Sequence, residues 1–194
     1  MDIKTKIRLY VPLFNKLIVS SFGVYYFYCC DEFNCTNLRS KVVMYMWSYY
    51  GLETLLYLCS PDTYYLLPHH IISLYMLYLV DNKLDYNTLR PVVHGLAIIE
   101  KSGAITDYRD ILKKDGQLTL TYDVSFLIYY ILIRQIYFAY HIYYDYQTDT
   151  FEQQMLVFLL VLIYIMSLYW SVIWSQSIIK YNKLFQQKAP NKID

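Results

Sequence analysis

Residues 63–80 read TYYLLPHHIISLYMLYLV, an apolar run that contains no Asp, Glu, Lys or Arg but includes His69 and His70. A run of this length is about what one helix needs to cross the hydrocarbon core of a bilayer. Ionisable side chains are costly to keep at that depth, so two adjacent imidazoles indicate more than packing. The stretch therefore predicts a membrane-spanning helix with a polar site. The alternative is a pair of buried histidines in a soluble helix.

The composition of the whole chain favours the membrane interpretation. Of the 194 residues, 57% are hydrophobic and 17% are charged, whereas a soluble domain carries about 25% charged residues. Including the His-His run, six stretches are candidate spans, at residues 10–30, 42–59, 62–80, 89–104, 122–144 and 154–179. They are too long for strands and lack alternation of period two. Residues 1–194 are therefore predicted to form one all-α multi-pass domain, a bundle of about six transmembrane helices.

The charges outside these spans predict the orientation. With six spans both termini lie on one side, and ten Lys and Arg residues fall there against four on the other side. The positive-inside rule then places both termini in the cytoplasm. The sequon Asn34-Cys35-Thr36 would face the lumen, which makes Asn34 a candidate glycosylation site. An integral membrane location in the endoplasmic reticulum or a related endomembrane is expected.

Polar groups within the predicted spans lie at similar depths. Glu53, His69 and Glu100 fall in the cytoplasmic half of their spans, and Arg134 lies about halfway along the fifth. Such groups usually face the interior of a bundle or a water-filled cavity. We therefore expect imidazoles, carboxylates and a guanidinium from separate helices to share one cavity reached from the cytoplasm. A mid-span guanidinium needs a carboxylate, carbonyl or phosphate partner, and Glu53 or Glu100 is a candidate for Arg134.

Helical spacing adds residues to this predicted site. Asp62, Tyr65, His69 and Ser73 fall on one stripe of the third span, where a neighbouring acid or hydroxyl could orient the imidazole. Adjacent residues diverge by about 100° around a helix, so one histidine is expected to serve the cavity and the other to bond a neighbouring helix. Further polar stripes occur in the last two spans, and their alternative interpretation is ordinary helix packing. They are Tyr130-Arg134-Tyr137-His141 and Tyr164-Ser167-Ser171-Trp174.

Several classes of ligand are not indicated by the sequence. The four cysteines show no CxxC or Cys/His spacing typical of a metal site, and no metal or other cofactor is evident. The formal net charge is +1, and no basic stripe stands apart from the apolar runs, so nucleic acid is not an expected partner. Membrane lipids are the expected partners, and a homodimer is compatible with the sequence.

Four segments, in order, resemble the TLC domain family, which includes TRAM proteins and ceramide synthases. Residues 62–73, DTYYLLPHHIIS, are similar to the family's His-His segment, and residues 95–102, GLAIIEKS, to its Glu-containing segment. Arg134 in ILIRQIYFAY resembles the central Arg of the family's next apolar span, and Trp170 in LYW resembles the Trp of its closing region. The resemblance covers about residues 40–180. It implies a compact membrane bundle that acts on lipids.

What the resemblance implies for function differs among its subfamilies. The first hypothesis is a protein that binds or modifies a lipid in a cytoplasm-facing cavity and so affects membrane lipid composition. The second is a ceramide-synthase-like N-acyltransferase, with acyl-CoA as co-substrate and a sphingoid base as acceptor. The third is a non-enzymatic membrane chaperone like TRAM. If the protein is an enzyme, His69 and His70 are the candidate catalytic residues, supported by Asp62 and Glu100. The predicted lipid- or acyl-binding residues are Arg134, Tyr65, Ser73, Trp170 and Trp174.

Overall fold

The computed structural model describes residues 3–29, 36–59, 66–83, 86–146 and 148–188. Within these ranges the chain is helical and contains no strand, which confirms the all-α prediction. The α-helices are α1 (Ile3–Cys29), α2 (Thr36–Leu58), α3 (Leu67–Lys83), α4 (Tyr86–Lys114), α5 (Leu120–Ile131), α6 (Phe138–Asp145) and α7 (Phe151–Lys188). A π-helical segment, Leu132–Tyr137, joins α5 to α6. Because α5, the π-helical segment and α6 follow one another without a break, we count them as one rod. The described chain therefore forms six helical rods, and each overlaps one predicted span.

The rod bounds differ most from the predicted spans at α4. The predicted fourth span ends at residue 104, but α4 continues to Lys114. The extension is rich in charged residues, which the apolar criterion excludes, yet two of them are engaged by other helices. Asp107 accepts a hydrogen bond from Lys16 of α1, and Arg109 donates to Asp123 of α5. These tertiary contacts stabilise helix beyond the apolar stretch.

Neighbouring rods run antiparallel. Gly23 of α1 lies against Ala97 of α4, and Lys16, two turns earlier, reaches Asp107 beyond Ala97. Paired contacts show the same reversal between α4 and the α5–α6 rod, where Arg109 meets Asp123 and Ser102 meets Arg134. They also show it between that rod and α7, where Asp123 meets Trp174 and Arg134 meets Ser167. As a result, the start of α1, the end of α4 and the end of α7 lie together, at what we call the terminal end of the bundle. The opposite end holds the start of α4 and the end of α6.

The interior of the bundle contains many ionisable groups, whereas its exterior carries many large apolar side chains. Among the described residues, the buried polar and charged set includes Lys16, Glu53, His70, His94, Glu100, Asp123, Arg134 and His141. The exposed apolar set includes Phe14, Met44, Leu55, Ile71, Ile136, Tyr143, Ile165 and Tyr169. Burial of charge without pairing is expensive, so these interior groups are expected to be partnered or to serve a site.

One helix in the described ranges, Phe151–Lys180, is long and apolar enough to cross a membrane by length and composition. Only 33% of its most apolar window is buried inside the protein, so most of this surface faces outward. Two of the other helices fall short for identifiable reasons: α3 is 17 residues long, and α4 carries charges along much of its length. The six-span arrangement therefore stays a prediction.

The start of α5 is stabilised by an N-cap. The Thr119 side chain accepts a hydrogen bond from the backbone N–H of Tyr122 at 3.2 Å. We expect Thr119→Ala to lower the free energy of unfolding by about 1 kcal/mol, because one N–H at the helix start loses its acceptor. Thermal unfolding of the detergent-solubilised protein, followed by tryptophan fluorescence, measures this effect. Thr121→Ala, an exposed position within the same helix, is the matched control and should not lower the midpoint.

Candidate functional site

A cavity of about 300 Å³ lies towards the terminal end of the bundle. Its walls come from α1, the end of α2, the start of α3, the second half of α4, α5 with the π-helical segment, and the middle of α7. The polar and aromatic lining comprises Lys16, Tyr57, His69, His70, Glu100, Thr106, Asp107, Arg109, Asp110, Tyr130, Arg134, Trp170, Trp174 and Ser177. The predicted convergence of imidazoles, a carboxylate and a guanidinium is therefore present in one cavity.

The two histidines at the start of α3 both line the cavity and face different helices. His69 Nε2 lies 3.6 Å from Glu100 Oε1 of α4, and His70 Nε2 lies 3.3 Å from Glu53 Oε2 of α2. The divergence of adjacent helical residues explains why their carboxylates differ. The His69 side chain is 14% exposed and that of His70 is 3% exposed. His69 is therefore the imidazole that a molecule in the cavity can reach more easily.

Glu100 is held by hydroxyl donors from α2. Tyr49 donates to Oε2 and Tyr50 donates to Oε1, each at 2.8 Å, and the carboxylate is buried. Charge-assisted hydrogen bonds of this kind are stronger than neutral ones and fix the orientation of the acceptor. Glu100 is therefore positioned to orient His69 and to stabilise a positive charge on its ring. Tyr57 donates similarly to Glu53 at 3.0 Å.

Arg134 uses neutral partners rather than the carboxylates considered from the sequence. Its guanidinium donates to Ser102 Oγ at 2.8 Å, Ser167 Oγ at 2.8 Å and the carbonyl of Ile99 at 3.2 Å. Within the described residues, neither Glu53 nor Glu100 forms an ion pair with it. The Glu100 carboxylate is hydrogen-bonded to the two tyrosines of α2. Ile99 and Ser102, on another face of α4, are the residues of that helix that bind Arg134. Arg134 therefore lines the cavity without a carboxylate partner from the part of the chain that the structure describes.

The other predicted site residues divide into three groups. Trp170 and Trp174 line the cavity, and the Trp174 indole donates to Asp123 at 2.6 Å. Ser73 is fully buried and donates to the His69 carbonyl at 2.9 Å, so its hydroxyl supports α3 and does not line the cavity. Asp62, Tyr65 and the sequon residue Asn34 lie outside the described residues.

Two ion pairs at the cavity were not predicted from the sequence. Lys16 Nζ lies 2.8 Å from Asp107, and Arg109 binds both oxygens of Asp123, at 2.6 and 3.1 Å. Burial raises the pKa of the Asp107 carboxyl, an effect that the Lys16 ammonium opposes. The sequence signal that could have indicated the first pair is Lys16, the one charged residue well inside the apolar span 10–30. Its partner is distant in sequence and depends on how α1 and α4 align.

Removal of the charge at Asp123 should weaken the terminal end of the bundle. We expect Asp123→Asn to lower the free energy of unfolding by about 1.5 kcal/mol, since the bonds from Arg109 and the Trp174 indole lose their charged acceptor. Thermal unfolding in detergent measures the change, and the Trp174 contribution to fluorescence reports it locally. Asp110→Asn is the matched control, because Asp110 lies 3.4 Å from the same guanidinium but is 56% exposed. Exposed pairs contribute about 0–1 kcal/mol, so a loss as large as that of Asp123→Asn would contradict the assignment.

The cavity can hold a molecule that combines a polar head with an apolar portion. Arg134 offers a positive charge next to the His69–Glu100 pair, and Ile163, Met166 and Ile173 provide apolar wall. A neutral imidazole backed by a carboxylate can take a proton from an attacking amine or hydroxyl. Comparison with protein-family models, with curated proteins and with solved structures finds no match to the chain. The TLC resemblance therefore stays a prediction.

Proposed function

We propose that this protein is a multi-pass membrane protein that binds or chemically modifies a lipid in its terminal-end cavity. The distribution of side chains supports this proposal: ionisable groups are buried in the bundle, and large apolar side chains lie outside. In lipid this distribution is favourable, because polar groups then face the bundle interior and apolar groups face hydrocarbon. All six rods, including the weakly apolar α4, would cross the bilayer.

The proposed orientation places the cavity mouth at the cytoplasmic side. The terminal end holds the start of α1 and the end of α7, the regions where Lys and Arg are concentrated. Positive charge favours the cytoplasmic side of a membrane. A cavity at that end would receive ligands from the cytoplasm or from the adjacent leaflet. The endoplasmic reticulum or a related endomembrane is the proposed location.

The observation that carries the lipid proposal is the pairing of His69 with Glu100 in a cavity shared with Arg134. We assign His69 as the general base, and Glu100 as the group that orients the imidazole and stabilises the imidazolium formed. Arg134 would bind a phosphate or the oxyanion of a reacting ester, since its guanidinium lacks a carboxylate partner among the described residues. Trp170 and Trp174 would pack against the apolar part of the ligand.

The test compares the lipids of cells that express wild-type protein with those of cells that express His69→Ala. A phospholipid or ether-lipid change that depends on His69 supports the proposal. A new ceramide that depends on His69 and on acyl-CoA would instead identify an N-acyltransferase of the ceramide-synthase type. Ser48→Ala on the exposed face of α2 is the control and should behave as wild type. No lipid change with either protein, together with cofractionation with the secretory machinery, would favour a membrane chaperone and overturn the proposal.

A further inference from the structure

A second cluster of ionisable side chains lies at the opposite end of the bundle, away from the lipid cavity. His94 of α4 and His141 and Asp145 of α6 each place one potential metal-binding atom within 4.8 Å of the other two. The histidines are 3% and 1% exposed, and Asp145 lies at the rim. None of the three lines the lipid cavity.

The hydrogen bonds of His141 match those of a metal-binding histidine. Its Nε2 lies 2.9 Å from the carbonyl of Pro91, which can only accept, so this nitrogen carries a proton. Metal-binding histidines commonly donate the other ring N–H to a backbone carbonyl or carboxylate in this way. In a neutral ring, Nδ1 would then present a lone pair towards the Asp145 carboxylate, which it contacts. Two acceptors face each other unless a cation, either a proton or a metal ion, lies between them.

Two further atoms in the cluster lack a partner. His94 Nδ1 and the Tyr146 hydroxyl are buried, and neither has a hydrogen-bond partner among the described residues. Buried polar atoms are rarely left unpaired, because each costs about 1–3 kcal/mol. A proton between His141 and Asp145 would leave both of these atoms unexplained. A metal ion bound through His94 Nδ1 would give that buried nitrogen the partner that it lacks.

The surrounding residues shape this site. A Cβ added at Gly95 would lie 3.1 Å from the Tyr146 hydroxyl and 3.3 Å from His141 Nε2. The absence of a side chain at Gly95 therefore leaves room for these two groups beside α4. Phe27 stacks on the His94 ring with centroids 3.9 Å apart and fixes its plane. The neighbouring cation, Arg90, is engaged by the Phe27 carbonyl at 2.5 Å. The His94 ring is therefore held by its stacking on Phe27, and the His141 ring is held by its hydrogen bond to the Pro91 carbonyl.

We propose that His94, His141 and Asp145 bind a divalent transition metal ion of the Zn²⁺ type. Two imidazoles and one carboxylate are a ligand set that Zn²⁺ accepts, with a fourth position left for water. Ligand atoms at about 2.0–2.2 Å from a tetrahedral ion lie about 3.4 Å apart, so the separations of up to 4.8 Å in this cluster would shorten by about 1.4 Å at most. His141 Nδ1 and the Asp145 carboxylate, which are in direct contact, would move apart to admit the ion. The Asp145 side chain is 34% exposed at the rim, so it has room to rotate away from His141 as the ion enters.

The test measures metal binding by the full-length protein in detergent, purified with a tag that contains no histidine. After treatment with a chelator, the protein is dialysed against Zn²⁺, and metal content is measured per chain. A parallel titration with Co²⁺ follows the visible absorption that imidazole and carboxylate ligands produce. We expect one ion per chain, and at least a tenfold loss of affinity in His94→Ala, His141→Ala and Asp145→Asn.

The chain provides its own matched control, because its other two histidines lie in the lipid cavity. His69→Ala/His70→Ala removes two imidazoles, one more than either single histidine variant of the proposed site, and should still bind Zn²⁺ as wild type does. If His141→Ala fails to fold, Asp145→Asn at the rim still decides the result. Absence of bound metal in the wild type, or equal binding by wild type and Asp145→Asn, would overturn the proposal. Loss of binding only in the His69→Ala/His70→Ala variant would also overturn it.

Discussion

Replacement of His69 by alanine should lower the rate of lipid modification by about 100-fold or more, while the protein remains folded. The reason is that the substituted protein keeps the cavity and Arg134 but loses the proton acceptor, and general-base catalysis contributes about 10²–10⁴-fold. The measurement is turnover of a radiolabelled acyl donor with a panel of long-chain amines and lysolipids. Ligand affinity should change much less than turnover.

Two further variants separate a catalytic role from a structural one. Glu100→Gln keeps the size of the side chain but removes the charge that stabilises a His69 imidazolium, so turnover should fall without loss of the cavity. His70→Ala removes the imidazole that faces Glu53 and is less accessible, and it should affect turnover less than His69→Ala. Equal effects of the two histidine variants, with a matching loss of thermal stability, would indicate that His69 only holds helices together.

Gly23→Val should destabilise the bundle by about 3 kcal/mol. A Cβ added at Gly23 would lie 2.5 Å from the Ala97 Cβ and 3.0 Å from the Val93 carbonyl oxygen of α4. Neither atom is the end of a flexible side chain, so α1 and α4 would have to separate, and overpacking of this kind typically costs about 1–3 kcal/mol, occasionally more. The Lys16–Asp107 pair at the cavity depends on the same helix contact. The expected result is early thermal unfolding or aggregation in detergent.

Gly51→Val is the matched control for this substitution. Gly51 lies in the middle of α2, and an added Cβ there would meet nothing within 4 Å. Glycine and valine also have similar, low helix propensities. The Gly51 variant should therefore unfold close to wild type. If the two variants unfold at the same temperature, the close approach of α1 and α4 would be contradicted.

The helical rods could be predicted because apolar run length is a local property of the chain. Each predicted span overlaps one rod, and three of the four ionisable groups singled out at similar depth, His69, Glu100 and Arg134, line one cavity. Glu53 instead pairs with His70 beside that cavity. Their pairing could not be predicted in the same way. Arg134 lies in a π-helical segment, which has no strong sequence signal, and its partners Ser102 and Ser167 were not expected.

Contacts between distant helices account for what the sequence analysis missed. The Lys16–Asp107 pair requires the antiparallel register of α1 and α4, which in turn depends on the small residue at Gly23. His141 was noted in a polar stripe of the fifth span, whereas His94 lies in the fourth span. Nothing in their spacing indicated that the start of α4 meets the end of α6. Only the three-dimensional arrangement places them beside Asp145.

The central claim is that a lipid occupies the cavity formed by His69, Glu100 and Arg134. It is tested most directly by crosslinking with a photoreactive, clickable fatty acid that cells incorporate into their lipids, followed by mapping of the modified peptides. The account predicts adducts on cavity-lining segments of α3, α4 and α7, for example near Trp170, and their loss when Arg134 is replaced by methionine. Adducts spread only over outward-facing residues such as Ile165, and unchanged by that substitution, would contradict it.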